Sequence, residues 1–365
     1  MSVLPQNDMT EATRLTREGR FKEAMGVLRR ALTGAAPAEG PSPVEHDVQQ
    51  QTLPTPPILD LFALKKGSGS LRSKPLPVPA GARFEELSFT NEAGSRTYKL
   101  YVPSGYHGQA LPLVVMLHGC TQSPDDFAAG TRMNELAEEM TFLVAYPAQA
   151  KSANISKCWN WFSPADQRRD RGEPSLIAGI TRQIMRDVTV DGSRVYIAGM
   201  SAGGAAAAIM GATYPDLYAA IGVHSGLACG AASDMNSALT AMRQGPSQAA
   251  KSQRHAAAGK AMPTIVFHGD GDTTVNPTNG DQIIAQAEAG LDLPTTRIQG
   301  VTPDGTRFTR MMQADENGRP MLEQWTIHGI GHAWSGGSPA GSYTHPQGPD
   351  ASREMIRFFF SHPAA

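Results

Sequence analysis

A serine lies in Gly199-Met200-Ser201-Ala202-Gly203, between the apolar run Arg194-Val195-Tyr196-Ile197-Ala198 and an alanine-rich run from Ala205 to Ala212. That order predicts strand, tight turn, helix, the context in which a glycine-flanked serine is a nucleophile held on a sharp elbow. The plain alternative is a glycine-rich turn that carries a surface serine. A serine hydroxyl attacks poorly at neutral pH; it needs a base to take its proton and a third group to orient that base. The chain offers two candidates for each partner. The acid is Asp272 or Asp270, both in His268-Gly269-Asp270-Gly271-Asp272, directly after the apolar run Thr264 to Phe267. Asp272 is favoured because it stands far enough past the strand for its carboxylate to turn back. The base is His332 or His328. His328 sits at the edge of its strand, whereas His332, in Gly329-Ile330-Gly331-His332-Ala333-Trp334, lies in a glycine-flanked loop that can reach Ser201. His224 reads as a hydrogen-bonded structural residue, and His255 and His345 have no supporting pattern.

Attack on a carbonyl also needs two donors aimed at the developing oxyanion, commonly backbone N–H groups. Ala202, next after the serine, supplies one. The other falls to the loop after Leu113-Val114-Val115-Met116-Leu117, namely His118-Gly119-Cys120-Thr121-Gln122, with the Cys120 N–H as the expected donor. His118 then supports this loop and is not a base. Serine, aspartate and histidine occur in the chain order used by α/β hydrolases.

These residues must be carried by elements that end near one another. Arg83–Thr90 and Arg96–Val102 read as strands joined by a turn at Asn91-Glu92-Ala93-Gly94. Leu113–Leu117, Phe142–Tyr146, Val195–Gly199, Ala219–His224 and Thr264–His268 read as further strands, mostly as continuous apolar runs. Helices are expected at Asp125–Met140, Pro174–Val188, after the elbow, in an insert around Ser237–Gly259, at Gly280–Ala289 and at Glu354–Phe360, with more strands within 305–328. Buried strands alternating with helices imply a largely parallel sheet with helices on its faces, and reactive residues should gather at the strands' C-terminal ends. Upstream, residues 1–34 are expected to form a helical segment, with apolar residues at helical spacing from Met9 to Leu32. Residues 35–82 read as a Pro/Gly/Ser-rich linker interrupted by the amphipathic patch Ile58-Leu59-Asp60-Leu61-Phe62-Ala63-Leu64. The catalytic domain is expected over residues 83–365.

The chain has 365 residues, 40% hydrophobic and 18% charged, enough for a large α/β domain with an appendage. A formal net charge of −2 gives no electrostatic case for nucleic acid or an anionic membrane. No apolar run approaches the roughly 20 residues that span a bilayer. Three cysteines are too few for a disulfide scaffold, and their spacing matches no zinc pattern, so no metal is expected. Met1–Thr10 shows neither a basic region nor an apolar core, so a cytoplasmic or granule-associated protein is expected.

The motifs together resemble the polyhydroxybutyrate (PHB) depolymerase family of esterases. The resemblance rests on His118-Gly119-Cys120-Thr121-Gln122, Cys158-Trp159-Asn160-Trp161-Phe162, Gly199-Met200-Ser201-Ala202-Gly203-Gly204 and Tyr214-Pro215-Asp216-Leu217-Tyr218. It continues through Gly222-Val223-His224-Ser225-Gly226, His268-Gly269-Asp270-Gly271-Asp272, Gly331-His332-Ala333-Trp334-Ser335-Gly336-Gly337 and Gly348-Pro349-Asp350-Ala351-Ser352. It implies an α/β-hydrolase fold, no cofactor, and hydrolysis of carboxylic esters through an acyl-enzyme, with Ser201, Asp272 and His332 at the matching catalytic positions. Similar sequences act on short-chain polyesters, feruloyl esters or acetylated xylan. Many are secreted, which makes secretion the alternative location.

Two further expectations concern residues beside these motifs. Trp159 and Trp334, ahead of Trp161, are candidate aromatic walls for an acyl chain, the alternative being core tryptophans that support the loops. A bond between Cys120 and Cys158 would pin the oxyanion loop to the tryptophan loop and leave Cys229 free, but a cytosolic setting argues against a lasting disulfide. A reading of another class also stands, in which residues 1–80 dock the protein on a polymer granule or a protein partner.

Overall fold

The apolar runs fold as strands covered on both faces. Val114, Val115, Met116 and Leu117, then Val195 to Ala198, then Ile265 to Phe267 are wholly buried, as a parallel sheet packed between helix layers requires. The structure, a computed structural model, describes residues 76–246, 262–288 and 292–364. The N-terminal segment 1–34, the linker up to residue 75 with its Ile58–Leu64 patch, and residues 247–261 of the alanine-rich insert lie outside the described residues.

The hairpin forms as β1 (Arg83–Asn91) and β2 (Gly94–Val102). The chain continues through β3 (Leu111–Leu117), β4 (Leu143–Pro147), β5 (Val190–Met200), β6 (Ala220–His224), β7 (Thr264–Gly269), β8 (Thr295–Val301), β9 (Arg307–Ala314) and β10 (Pro320–Ile327). They make one ten-stranded sheet in the order β1-β2-β4-β3-β5-β6-β7-β10-β9-β8. The six strands from β4 to β10 run parallel, while β1, β2, β8 and β9 pair antiparallel at the two edges. This is the sheet of an α/β hydrolase, parallel at its centre as expected and mixed at its edges.

Helices α1 (Pro124–Thr131), α2 (Met133–Met140), α3 (Gly172–Asp187), α4 (Ala202–Thr213), α5 (Met235–Gln244), α6 (Thr278–Glu288) and α7 (Ala351–Phe360) cover the faces. Ile177 and Ile180 of α3, Ala205 to Met210 of α4, Ala238 of α5 and Ile283 of α6 pack into one core layer. Phe127 of α1, Leu136 of α2 and Met355 and Phe359 of α7 fill the other.

The sequence predicts a single helix over Asp125–Met140, and two form. Arg132 takes φ 56°, ψ 24°, closing α1 and opening α2. The bend lets Phe127 meet Trp334 edge-on at 5.4 Å while Met133 is fully buried on the sheet. β8 carried no periodic signal because it is the sheet's outer strand, exposed at five consecutive residues, so neither alternation nor burial marks it. β5 starts earlier than its apolar run because Val190 pairs with Leu111. No helix among the described residues is long and apolar enough to cross a membrane.

Candidate active site

Four strands deliver the predicted residues to one end of the sheet. β3 leads into the loop 118–122, β5 into Ser201, β7 into Asp272 and β10 into His332. Each follows the C-terminal end of a parallel strand, where adjacent crossovers leave a crevice.

Ser201 joins β5 to α4 with φ 57° and ψ −122°, a backbone state that costs an L-residue on the order of 1–3 kcal/mol. The surroundings hold it there. Its N–H donates to the carbonyl of His224 at 2.9 Å, and its own carbonyl accepts from Ala205 N–H at 2.9 Å. Glycine is required on both sides: a Cβ at Gly199 would run into the Gly203 carbonyl, and one at Gly203 into the carbonyls of Leu117 and His118. The elbow can therefore lie directly against the oxyanion loop. Gly119 confirms the closeness, since a Cβ there would sit 3.5 Å from the Cβ of Ser201.

The Ala202 N–H opens α4, where first-turn amides have no partner within the helix. Among the described residues neither it nor the Cys120 N–H is taken by another protein group. Both predicted donors thus remain available beside Ser201. The loop bearing Cys120 is braced on every side. His118 donates from Nδ1 to the Gly119 carbonyl (2.7 Å) and accepts the Gln149 N–H at Nε2 (3.1 Å). Burial pushes its imidazole down to about 4, so it serves as a neutral strut. Gln122 accepts the Gly119 N–H at 2.9 Å and donates to Asp126 (2.9 Å) and the Ser342 carbonyl (3.2 Å). Gln122 stood in the loop motif, but its bracing role depends on a contact 220 residues away.

Asp272 and His332 meet as the sequence predicts, Nδ1 to Oδ2 at 2.7 Å. The aspartate side chain is entirely buried and the histidine 10% exposed. The other carboxylate oxygen accepts N–H bonds from Thr274 and Val275, each at 2.9 Å, and His268 Nε2 approaches Oδ2 at 3.4 Å. Burial works to raise the carboxyl, but the bonds from His268 and His332, the imidazole charge and the Val275 amide outweigh it and hold Asp272 far below the usual carboxylate range. Asp272 is thus ionised and aims His332, which with Ser201 lines a small pocket also bordered by Cys120 and Tyr343.

The rival candidates bond to each other instead. His328 Nδ1 meets Asp270 Oδ2 at 2.7 Å on the outer side of the two loops. His224 is a structural residue, as expected: it accepts the Ser335 N–H at Nε2 and stacks between Phe267 and Trp334 at 5.9 and 4.9 Å.

Two expectations are corrected. Trp159 and Trp334 do not line the cavities at Ser201. Trp159 is fully buried and donates to the His118 carbonyl (3.1 Å); Trp334 is fully buried and donates to Ser352 Oγ (3.1 Å). Each supports a loop of the site from behind. Trp161, ranked below them, borders a second, larger cavity of about 230 Å³ with Phe162, Leu227, Met235 and Leu239. The two cavities share Cys120, Ser201 and Met242. Nothing local marks which of three neighbouring indoles faces a cavity. The second correction concerns Cys120 and Cys158, which are joined in a disulfide with Cα atoms 4.2 Å apart. In the loop-entropy account, closing a 38-residue separation is worth about 4 kcal/mol. Cys229 is the free, buried cysteine. The loop on the far side of the disulfide hangs on buried Glu173, which accepts from Asn160 N–H (2.7 Å) and Asn160 Nδ2 (2.8 Å), binds Gln149, and faces Arg96 at 3.5 Å. Its anchoring role had no sequence signal.

Residues 96–300, more than half of the 365, match the family described as Esterase PHB depolymerase. The chain belongs to this family. Poly(3-hydroxyalkanoate) depolymerase C of Paucimonas lemoignei is 34% identical over 250 residues, covering 67% of this chain and 59% of that enzyme, so the match spans less than two thirds of the relative's length. Feruloyl esterase B of Thermothelomyces thermophilus is 29% identical over 64% of this chain and 82% of its own length. Acetylxylan esterase A of Talaromyces purpureogenus is 26% identical over 73% of this chain and 74% of its own. Among solved structures, an acetyl xylan esterase from Aspergillus awamori superposes with a TM-score of 0.62 at 20% identity, over 76% of this PHB-depolymerase-family chain and 99% of that one. That likeness bears on the fold.

Proposed function

We propose that this protein is a serine carboxylesterase acting on polyhydroxyalkanoate-type polyester or its oligomers. The observation that carries the reading is the meeting of Ser201, on its strained elbow, with His332 in one cavity, His332 itself aimed by buried, ionised Asp272. His332 Nε2 takes the Ser201 proton as Oγ forms its bond to the ester carbonyl. The oxyanion settles on the Cys120 and Ala202 N–H groups, which are preorganised because a disulfide and a helix start fix them. His332 then protonates the departing alcohol, and on the return half-reaction activates water against the acyl-enzyme. Asp272 keeps the imidazole in its Nδ1–H tautomer and offsets the imidazolium charge.

The acyl group is read from the walls. Among the described residues no Asp, Glu, Lys or Arg borders either cavity at Ser201, and Trp161, Phe162, Leu227 and Met242 give an apolar lining. Such walls favour an uncharged, largely hydrocarbon acyl chain over a charged one. The depolymerase relative supports a polyester; the feruloyl and acetylxylan relatives support a carbohydrate ester as the second reading. Ser201→Ala should abolish p-nitrophenyl butyrate hydrolysis with an unchanged fold, and undiminished turnover would sink the assignment. Run on the wild-type enzyme, hydroxybutyrate oligomers, feruloyl esters and acetylated xylan decide between the two substrate classes by kcat/KM.

Location belongs to the same proposal. The Cys120–Cys158 disulfide supports an oxidising compartment over the cytoplasm, because cytosolic thiols are kept reduced. Granule or partner docking, if present, rests on residues 1–80. Fractionating cells that carry the full chain, beside a variant lacking those residues, separates these readings. A secreted or periplasmic esterase fits the disulfide; granule association lost on deletion, with ester hydrolysis intact, fits docking; a purely cytosolic protein in both forms overturns both.

A further inference from the structure

The turn after β7 and the loop after β10 are laid against one another bond by bond. Asp270 N–H donates to the Ile327 carbonyl at 3.0 Å, and Gly271 N–H to the Ile330 carbonyl at 3.0 Å. Asp272 and His332 close the inner end of this run at 2.7 Å. Asp270 closes the outer end twice: Oδ1 accepts the Gly329 N–H at 2.7 Å and Oδ2 the His328 Nδ1–H at 2.7 Å. His328 is fixed in turn, with its Nε2 at 2.9 Å from Thr309 Oγ1 on β9 and its N–H on the Arg307 carbonyl. Gly329 has φ +81°, so the chain swings sharply there, three residues before His332. An unheld turn of that kind would let the His332 loop drift from the acid.

We propose that Asp270 and His328 are positioning residues that clasp the His332 loop onto the Asp272 turn and so set the direction of the His332 imidazole. This rests on the assignment of His332 as the base. The clasp works by geometry and not by charge. An asparagine at 270 can still accept the Gly329 N–H through its oxygen. Its amide can donate to a His328 whose proton has moved to Nε2, where Thr309 Oγ1 accepts it. An alanine can do neither.

The experiment compares Asp270→Ala, Asp270→Asn and His332→Ala, reading kcat and KM on p-nitrophenyl butyrate, melting temperature, and the downfield proton NMR signal of the His332 Nδ1–H. Displacing a reacting group by a fraction of an ångström costs rate rather than affinity, so Asp270→Ala should lose about tenfold in kcat at unchanged KM. Its downfield signal should broaden or vanish, and Asp270→Asn should restore both. Wild-type kcat in Asp270→Ala, a loss in KM alone, or equal losses in Asp270→Ala and Asp270→Asn would each overturn the clasp. A His332→Ala enzyme with near wild-type activity would instead sink the base assignment; an inactive His332→Ala beside a wild-type Asp270→Ala removes only the clasp. Should Asp270→Ala not fold, His328→Ala, which leaves the Asp270–Gly329 bond in place, carries the test. A kcat loss at constant KM then supports the clasp, and wild-type kcat refutes it.

Discussion

Two aspartate–histidine pairs are built from the same two loops, and their hydrogen bonds are alike: Nδ1 to Oδ2, 2.7 Å in each. What separates them is surroundings. Asp272 and His332 are 0% and 10% exposed, and Asp272 takes two further backbone N–H bonds; Asp270 and His328 are 43% and 34% exposed and face solvent. In the buried pair each bond acts in a low dielectric and fixes a tautomer. In the exposed pair water competes, and the bond's use is to hold backbone in place. Paired acid and imidazole are therefore not by themselves a catalytic signature. Burial, extra donors to the acid and a serine sharing the cavity set the inner pair apart and support its proposed catalytic role.

The largest effect expected from this contrast comes from the inner acid. Asp272→Asn should lower kcat by on the order of 10⁴, because the amide favours the wrong imidazole tautomer and no longer offsets imidazolium. Asp270→Asn should stay within severalfold of wild type. Steady-state kinetics on one soluble ester compare the two directly, and a greater loss at Asp270 would reverse the assignment of the acid.

A smaller effect extends the contrast between buried and exposed imidazoles to pH. Burial pushes His118 down to about 4 and His224, which lies beside the inner pair, to about 3. The unfolded chain takes protons on these imidazoles near pH ~6.5, while the folded protein refuses them until far lower. Their neutral packing is thus fully compatible with the fold above pH ~6.5, and stability falls as the pH drops below it, by about 3 kcal/mol for His118 alone on the way to its folded value. Urea midpoints measured from pH 7.5 to 5 should decline, less steeply in His118→Gln. A midpoint independent of pH would contradict the neutral-strut reading.

Much of this was legible in the residues. The elbow, the order serine, aspartate, histidine and the oxyanion loop each carry a local signal, since glycine placement and the ends of apolar runs are written in adjacent positions. The split of the helix at Arg132, strand β8, and the bracing by Gln122 and Glu173 were not, for each answers to a neighbour distant in the chain. The tryptophans make the point most sharply. Trp159, Trp161 and Trp334 all lie beside motif residues, yet Trp161 borders a cavity at Ser201 while the other two support loops from within the core.

By itself the sequence determined which groups are candidates for chemistry in this protein: a proposed nucleophile, base, acid and two backbone donors, each at the end of a buried strand. Periodicity, glycine and chain order suffice for that, because they are properties of short stretches and of their succession. Only the tertiary structure decided which aspartate meets which histidine, that Cys120 closes on Cys158, and which indole faces a cavity at the serine. Those outcomes depend on burial and on distances between loops far apart in the chain, and such distances exist only once the sheet has brought the loops together.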